Sequence, residues 1–192
     1  MEIVLASTSK FKSEILSRCH IKHVCKSINY EENSNESDYK KYVMELALGK
    51  AECLRKEVNG IIIGIDNVVI MDDKIIEKPS SLEEARCNLR NSSNNVSKVI
   101  CGLAIIDTIN NRVVNTITET LVYFNEIDEK DIEYYINNEE GVMYASGFII
   151  ENIASNFIKK IDGSYYNILG VPVEKIYEIL KNWGYSLSDI NS

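Results

Sequence analysis

The stretch Gly60-Ile-Ile-Ile-Gly-Ile-Asp-Asn-Val-Val-Ile70 sets one acidic side chain inside a run that is otherwise apolar. Continuous β-branched residues of this length, opened by Gly60, read as a strand covered on both faces. Asp66 is the anomaly in it. An ionised carboxylate in such a place is costly unless a metal, a cation or a set of donors compensates it, so this reading requires something charged opposite. The competing reading ends the strand at Ile65 and lets Asp66 start a turn with Asn67.

Upstream, residues 39–56 carry the strongest helical pattern, with Tyr39, Tyr42, Val43, Leu46, Ala47, Cys53 and Leu54 recurring as one apolar stripe. Lys50 falls inside it. Stepping along the helix from Tyr39 places Lys50 only about 20° away, near the middle of the buried face. Either its stem snorkels outward, or its ammonium is aimed toward the strand that carries Asp66. Downstream, Met71-Asp-Asp-Lys74 is a tight turn and Ile75-Ile76 begins the return of a hairpin. Glu77-Lys78-Pro79 follows, and the residue before a proline is held extended, so Lys78 stands on a stiff segment. Ser80, with Glu83 three residues on, reads as a capping box for a helix whose Leu82, Ala85 and Leu89 face inward.

Toward the N-terminus, residues 2–6 read as a strand, and Ser7-Thr8-Ser9 as a turn that caps a helix over 10–18, with Phe11, Ile15, Leu16 and Cys19 on its apolar face. Hydroxyls, backbone N–H groups and a positive dipole end meet there, which suits an anion as well as a plain cap. Residues 21–28 read as a second strand and 30–38 as an acidic loop, in which Glu31 and Glu32 either serve a hard cation or are simply solvated.

Toward the C-terminus, residues 96–107 and 112–124 read as strands joined at Asn110-Asn111, and 126–138 as an acidic helix with Ile132, Tyr135 and Ile136 inward. Residues 144–151 combine small residues with Glu151 and can line a pocket. Residues 157–161 and 165–169 read as short strands around Asp162-Gly163-Ser164. Pro172 opens a final helix with Val173, Ile176, Tyr177, Leu180 and Trp183 as its stripe, and Gly184 stops it.

At 192 residues, the chain suits a single domain over 1–192, and its 45% hydrophobic and 26% charged content is that of a folded globular protein. The net charge of −8 weighs against nucleic acid as a partner, yet a few converging lysines and a divalent cation still suffice for a triphosphate. Five cysteines without a short paired spacing read as reduced, mostly structural thiols. With no signal pattern and no apolar run of spanning length, the expected location is the cytoplasm, away from membrane.

Six landmarks recur in one order and spacing: Leu5-Ala-Ser-Thr-Ser9, Leu46-Ala47 with Lys50-Ala51, Gly64-Ile-Asp-Asn-Val-Val69, Lys78-Pro79, Thr118-Glu-Thr-Leu-Val-Tyr-Phe124 and Gly163-Ser-Tyr-Tyr-Asn-Ile-Leu-Gly-Val-Pro172. Together they resemble the Maf family of nucleoside triphosphate pyrophosphatases, related in fold to the inosine triphosphate pyrophosphatases. The resemblance implies an α/β fold with a mixed sheet in two lobes around a central cleft, commonly as a homodimer. It also implies hydrolysis of a nucleoside triphosphate to the monophosphate and pyrophosphate with Mg2+ or Mn2+. On that basis Asp66 acts on the attacking water. Ser7, Ser9, Lys12, Lys50 and Lys78 hold the phosphates, and Glu31 with Asp66 holds the cation.

Three positions speak to the base. The family branch acting on dTTP and UTP carries Arg, Thr and Gln where this chain has Phe11, Asn67 and Glu151, whereas the branch acting on 7-methyl-GTP carries Trp, Gln and Glu. This chain looks like the second, since methylated guanine is cationic and suits an aromatic face and a carboxylate. It departs from the family at Lys10, Lys12 and Ser13, where a proline and paired arginines are usual, and at Ser97 and Ser146. The expected activity is therefore on 7-methyl-GTP. A dTTP/UTP or inosine-type pyrophosphatase and a weakly active nucleotide-binding regulator of cell division are the alternatives.

Overall fold

The structure is a computed structural model that describes residues 2–31, 34–144 and 146–191. Its elements run β1 (Glu2–Ala6), α1 (Lys10–Arg18), β2 (Val24–Lys26), α2 (Tyr39–Glu52), β3 (Gly60–Met71), β4 (Lys74–Ile75) and α3 (Leu82–Ser92). They continue through β5 (Val96–Asp107), β6 (Arg112–Phe124), α4 (Glu129–Asn138), β7 (Ile158–Asp162), α5 (Tyr165–Ile168), α6 (Val173–Asn182) and α7 (Leu187–Asn191). The sheet is mixed, in the order β2-β1-β3-β5-β6-β7 with β4 added to β3. β1 is parallel to both β2 and β3, whereas β3–β4 and β6–β7 are antiparallel. Among the described residues no helix is long and apolar enough to cross a membrane.

The chain divides into two compact units, each assembled from separated segments. The first takes Met1–Asn67, Ile100–Glu119 and Ser164–Ser192, and the second takes Val68–Val99 and Thr120–Gly163. Strands β3, β5 and β6 contribute residues to both.

In the first unit, Ile61, Ile62, Ile63 and Ile65 of β3 are all buried, and α2 lies directly on the strands. Two glycines permit this approach. A Cβ on Gly64 would stand 2.1 Å from the carbonyl oxygen of Ala47, and one on Gly102 would stand 2.1 Å from that of Val43. The buried face of α2 is accordingly Val43, Leu46, Ala47, Lys50 and Ala51. Gly64→Ala must lift the helix off the strand, and is expected to cost about 1–3 kcal/mol, the usual range for overpacking. A urea titration with an unchanged midpoint would contradict that close contact.

The far end of the same unit is organised by a buried carboxylate. Asp107, fully buried at the end of β5, accepts from the Ile109 and Asn110 amides and from Asn110 Nδ2 at 2.9 Å. It also accepts from Arg112 Nη2 at 2.5 Å, Arg112 Nε at 3.1 Å and the Tyr185 hydroxyl at 2.9 Å. The Arg112 guanidinium lies 4.9 Å from the Trp183 ring and 5.5 Å from the Tyr185 ring, and donates to the Trp183 carbonyl. Burial alone would raise the Asp107 pKa. The donors from Asn110, Arg112 and Tyr185 outweigh it and hold the carboxyl well below the usual carboxylate range.

In the second unit, α3 and α4 are clamped by two forked ion pairs, Arg86 on Glu133 and Arg90 on Glu129. Tyr135 is fully buried beside Phe148 and Phe157. Its hydroxyl donates to the Gly147 carbonyl and accepts from the Ile149 amide, pinning the segment that leads to Glu151. Burial pushes that phenol up to about 12, so it stays protonated and keeps its donor role.

Several expectations are corrected. Over 165–169, where a strand was expected, the chain forms α5 (Tyr165–Ile168), because Ser164 caps it by accepting from the Asn167 amide. Ser81, not Ser80, caps α3: it accepts from the Glu84 amide, while Glu84 accepts from the amide and hydroxyl of Ser80, the residue before the cap. Helix α2 ends at Glu52, which leaves Cys53 exposed, and β2 is shorter than 21–28. Helix α4 starts at Glu129 under an Asp128 cap. In α6 the buried stripe is Ile176, Ile179 and Leu180, and Trp183 stacks on Arg112 instead. Cys25, Cys53 and Cys87 are exposed free thiols, so only Cys101 is a core cysteine.

Candidate active site

β1 pairs with β3 as far as Leu5 opposite Ile63, and the Ser7-Thr8-Ser9 turn begins where that pairing stops. The turn is built by its own hydroxyls. Ser7 Oγ accepts from the Ser9 amide at 3.1 Å, and Ser9, the N-cap of α1, accepts from the Lys12 amide at 3.3 Å. Lys12 then reaches across to β3, its Nζ donating to the Ile65 carbonyl at 3.2 Å. Phe11, next to it, is 43% exposed. Ser13 turns toward His23, with Oγ 2.8 Å from Nε2. His23 Nδ1 sits 2.8 Å from the Ile21 carbonyl, which can only accept, so in the neutral ring Nε2 accepts a hydrogen bond from Ser13 Oγ.

Asp66 does not end the strand. β3 continues through it to Met71, and Lys50 Nζ donates to Asp66 Oδ1 at 2.5 Å. The lysine in the apolar stripe is thus the charge the carboxylate required, with only 11% and 14% of the two side chains exposed. Cys101 on β5 lies under the same charges. Its thiol is pushed up to about 12, chiefly by burial, with Lys12 pulling it down and Asp66 raising it, so it carries no charge at neutral pH. An ammonium pair, two hydroxyls and a helix N-terminus at the carboxyl end of a parallel strand form an arrangement suited to phosphate oxygens.

Asn67 follows Asp66 and packs on Gly170, where an added Cβ would come within 2.9 Å of Asn67 Oδ1. Gly170 ends α5, whose fully buried Asn167 accepts from Thr118 Oγ1 at 2.5 Å. Thr118, Asn167 and Gly170 lie within the six landmarks but carry no charge, and the misassignment of α5 as a strand hid their connection.

The first unit therefore brings together Ser7, Ser9, Lys12, Lys50 and Asp66, and also holds Phe11, Asn67 and Glu31. Glu31 is exposed, and Glu32 lies outside the described residues. Lys78 and Glu151 belong to the second unit. Lys78 is exposed, with its Nζ 5.2 Å from the Tyr144 ring, and Glu151 is half-buried. Among the described residues no three His, Cys, Asp or Glu side chains gather as a metal cage. Asp66 supplies the hard carboxylate oxygens that suit Mg2+ or Mn2+, cations commonly held by one or two carboxylates and completed by substrate phosphates.

Residues 2–183 match the Maf-like protein family. A dTTP/UTP pyrophosphatase of Thermoanaerobacter sp. (strain X514) is 34% identical over 183 residues, covering 94% of this chain and 96% of that protein. A dTTP/UTP pyrophosphatase of Clostridium perfringens (strain SM101 / Type A) is 35% identical over 187 residues, covering 95% and 97%. Among solved structures, the Ham1 protein of Staphylococcus aureus aligns over 65% of this chain and 72% of that one, at 15% identity and a TM-score of 0.45. With the family pattern spanning nearly its whole length, the chain belongs to the Maf-like family.

Proposed function

We propose that the chain is a nucleoside triphosphate pyrophosphatase, a hydrolase of acid anhydrides that releases pyrophosphate and leaves the monophosphate. The observation that carries this is the Lys50–Asp66 pair beside the Ser7–Ser9 turn and Lys12. Asp66 orients the attacking water and takes its proton as the water oxygen bonds to the α-phosphorus. The bond from that phosphorus to the oxygen bridging toward the β-phosphate breaks, and the electron pair leaves with pyrophosphate. Lys12, Lys50 and the hydroxyls of Ser7 and Ser9 neutralise the non-bridging oxygens. A divalent cation, Mg2+ or Mn2+, on Asp66 with Glu31 supplies further charge neutralisation when bound. Lys78 takes a phosphate and Glu151 the base on the strength of the resemblance alone.

For the base, dTTP and UTP are the proposed substrates, because the relatives that match over nearly the full length bear that activity in their names. The residues favour a second reading. Phe11 presents an exposed ring where the pyrimidine branch carries arginine, and Glu151 replaces glutamine, and each residue type suits cationic 7-methylguanine. Pyrophosphate release from dTTP, UTP, 7-methyl-GTP, GTP and ITP with Mg2+ or Mn2+ separates the two. Preference for dTTP and UTP is the expected result, and preference for 7-methyl-GTP would give the site to the second reading. Binding of nucleotide by folded protein without turnover would defeat both and leave a nucleotide-binding protein.

A further inference from the structure

Asn67 cannot choose its own orientation. Its amide lies against Gly170, with Oδ1, Cγ and Nδ2 at 2.9, 3.3 and 3.6 Å from where a Cβ would stand, so the bare Cα of Gly170 makes room for it. Gly170 has φ +75°, a conformation that suits glycine, and its amide donates to the Asn167 carbonyl at 3.0 Å. The next amide, Val171, donates back to the Tyr166 carbonyl.

The turn before Gly170 is itself fixed from two sides. From β6, the Thr118 hydroxyl donates to the buried Asn167 Oδ1. From α6, Glu174 accepts from the Ser164 hydroxyl at 2.8 Å, and that same hydroxyl oxygen caps α5 by accepting from the Asn167 amide at 3.1 Å. A hydroxyl at 118, a buried amide at 167 and a missing side chain at 170 thus form one chain of contacts that ends on the Asn67 amide. None of them carries charge.

We infer that Gly170, held by the Thr118–Asn167 pair, is a specificity-determining position: it sets which edge of the Asn67 amide is offered to the substrate base. The inference rests on the nucleotide activity proposed above and on Asn67 facing the base, as the family resemblance implies. An amide presents a donor at one end and an acceptor at the other, so a rotated or displaced Asn67 exchanges the hydrogen-bond pattern read from a uracil edge for that read from a guanine edge. Thr118, Asn167 and Gly170 are positioning residues that act through Asn67 and touch no reacting atom.

The test compares UTP with 7-methyl-GTP by steady-state kinetics and by calorimetric binding. Gly170→Ala is expected to change the ratio of kcat/KM between the two nucleotides by about ten-fold, the worth of one aligned hydrogen bond, and to do so through KM rather than kcat. In an Asn67→Ala background the same substitution should leave the ratio where it was. Because alanine is strained at that φ, Thr118→Val gives a second route, loosening Asn167 without touching Gly170, and Thr118→Ser, which keeps the hydroxyl, should restore the ratio. Folding of each variant is checked by circular dichroism. An unchanged ratio in folded Gly170→Ala and Thr118→Val, or a change that persists in the Asn67→Ala background, overturns the inference. If the wild type binds nucleotides without turning them over, the proposed activity fails while the affinity ratios still decide this point. If it neither binds nor turns over either nucleotide, both fail together.

Discussion

Asp66→Asn is expected to lower pyrophosphate release by about a thousand-fold, within the range contributed by a positioned general base. Asparagine keeps the shape of the side chain and can still accept from Lys50, but it cannot take a proton from water. The loss should fall on kcat. The variant also takes the Asp66 charge away from the Lys50 ammonium on the nearly buried face of α2, so stability falls as well. Removing one partner of a buried pair costs about 3–5 kcal/mol, and the slight exposure of both side chains places this one toward the lower figure. Lys50→Met separates the two effects. It keeps the carboxylate that takes the proton while removing the cation paired with it. Single-turnover rates, with urea titrations beside them, read both. Asp66→Asn turning over within ten-fold of wild type would remove the carboxylate from the chemistry.

The second large effect is on stability and lies away from that carboxylate. Arg112→Leu strips Asp107 of its two guanidinium bonds and of the stack against Trp183 and Tyr185, leaving a fully buried carboxylate that keeps Asn110 and Tyr185. The expected cost is about 3–5 kcal/mol. The pH dependence has a definite sign. The Asp107 pKa is lower in the folded chain than in the unfolded one, so its contribution is complete above the unfolded pKa of about 4 and is lost as pH falls toward the folded value. Urea midpoints at successive pH values below 5 should therefore drop steeply for wild type. Asp107→Asn starts lower and loses this part of the acid slope. Equal slopes in the two proteins would show that another carboxylate controls acid unfolding.

The helical stripe placed Lys50 on the buried face, the apolar run marked Asp66 as needing a cation, and the two prove to be each other's partner. That pairing was legible because a charge in an apolar pattern is a local anomaly. The Arg112 stack was not, since an arginine opening a strand and a tryptophan near a helix end are ordinary in sequence and meet only in the fold. Residues 165–169 misled because Tyr and Ile favour strands, while the deciding feature was one capping hydroxyl at Ser164. At Ser80 and Ser81 either serine satisfies the capping pattern, and only the bond to the Glu84 amide decides between them. The Thr118–Asn167 pair joins positions 49 residues apart, beyond the reach of any local pattern.

The segment Ser164–Ser192 completes the unit that begins at the N-terminus, whereas the second unit lies wholly within the interior of the chain. During synthesis the second unit is therefore finished first, and the half that carries Asp66 waits for residues 164–192 to emerge. Those residues bring Gly170, which backs Asn67, and Trp183 and Tyr185, whose rings lie against Arg112. A chain cut short by a stalled ribosome loses the support behind Asn67 and the stack on Arg112 in a single event. Both losses fall on the same unit, so such a chain is left with a first unit that cannot close its core.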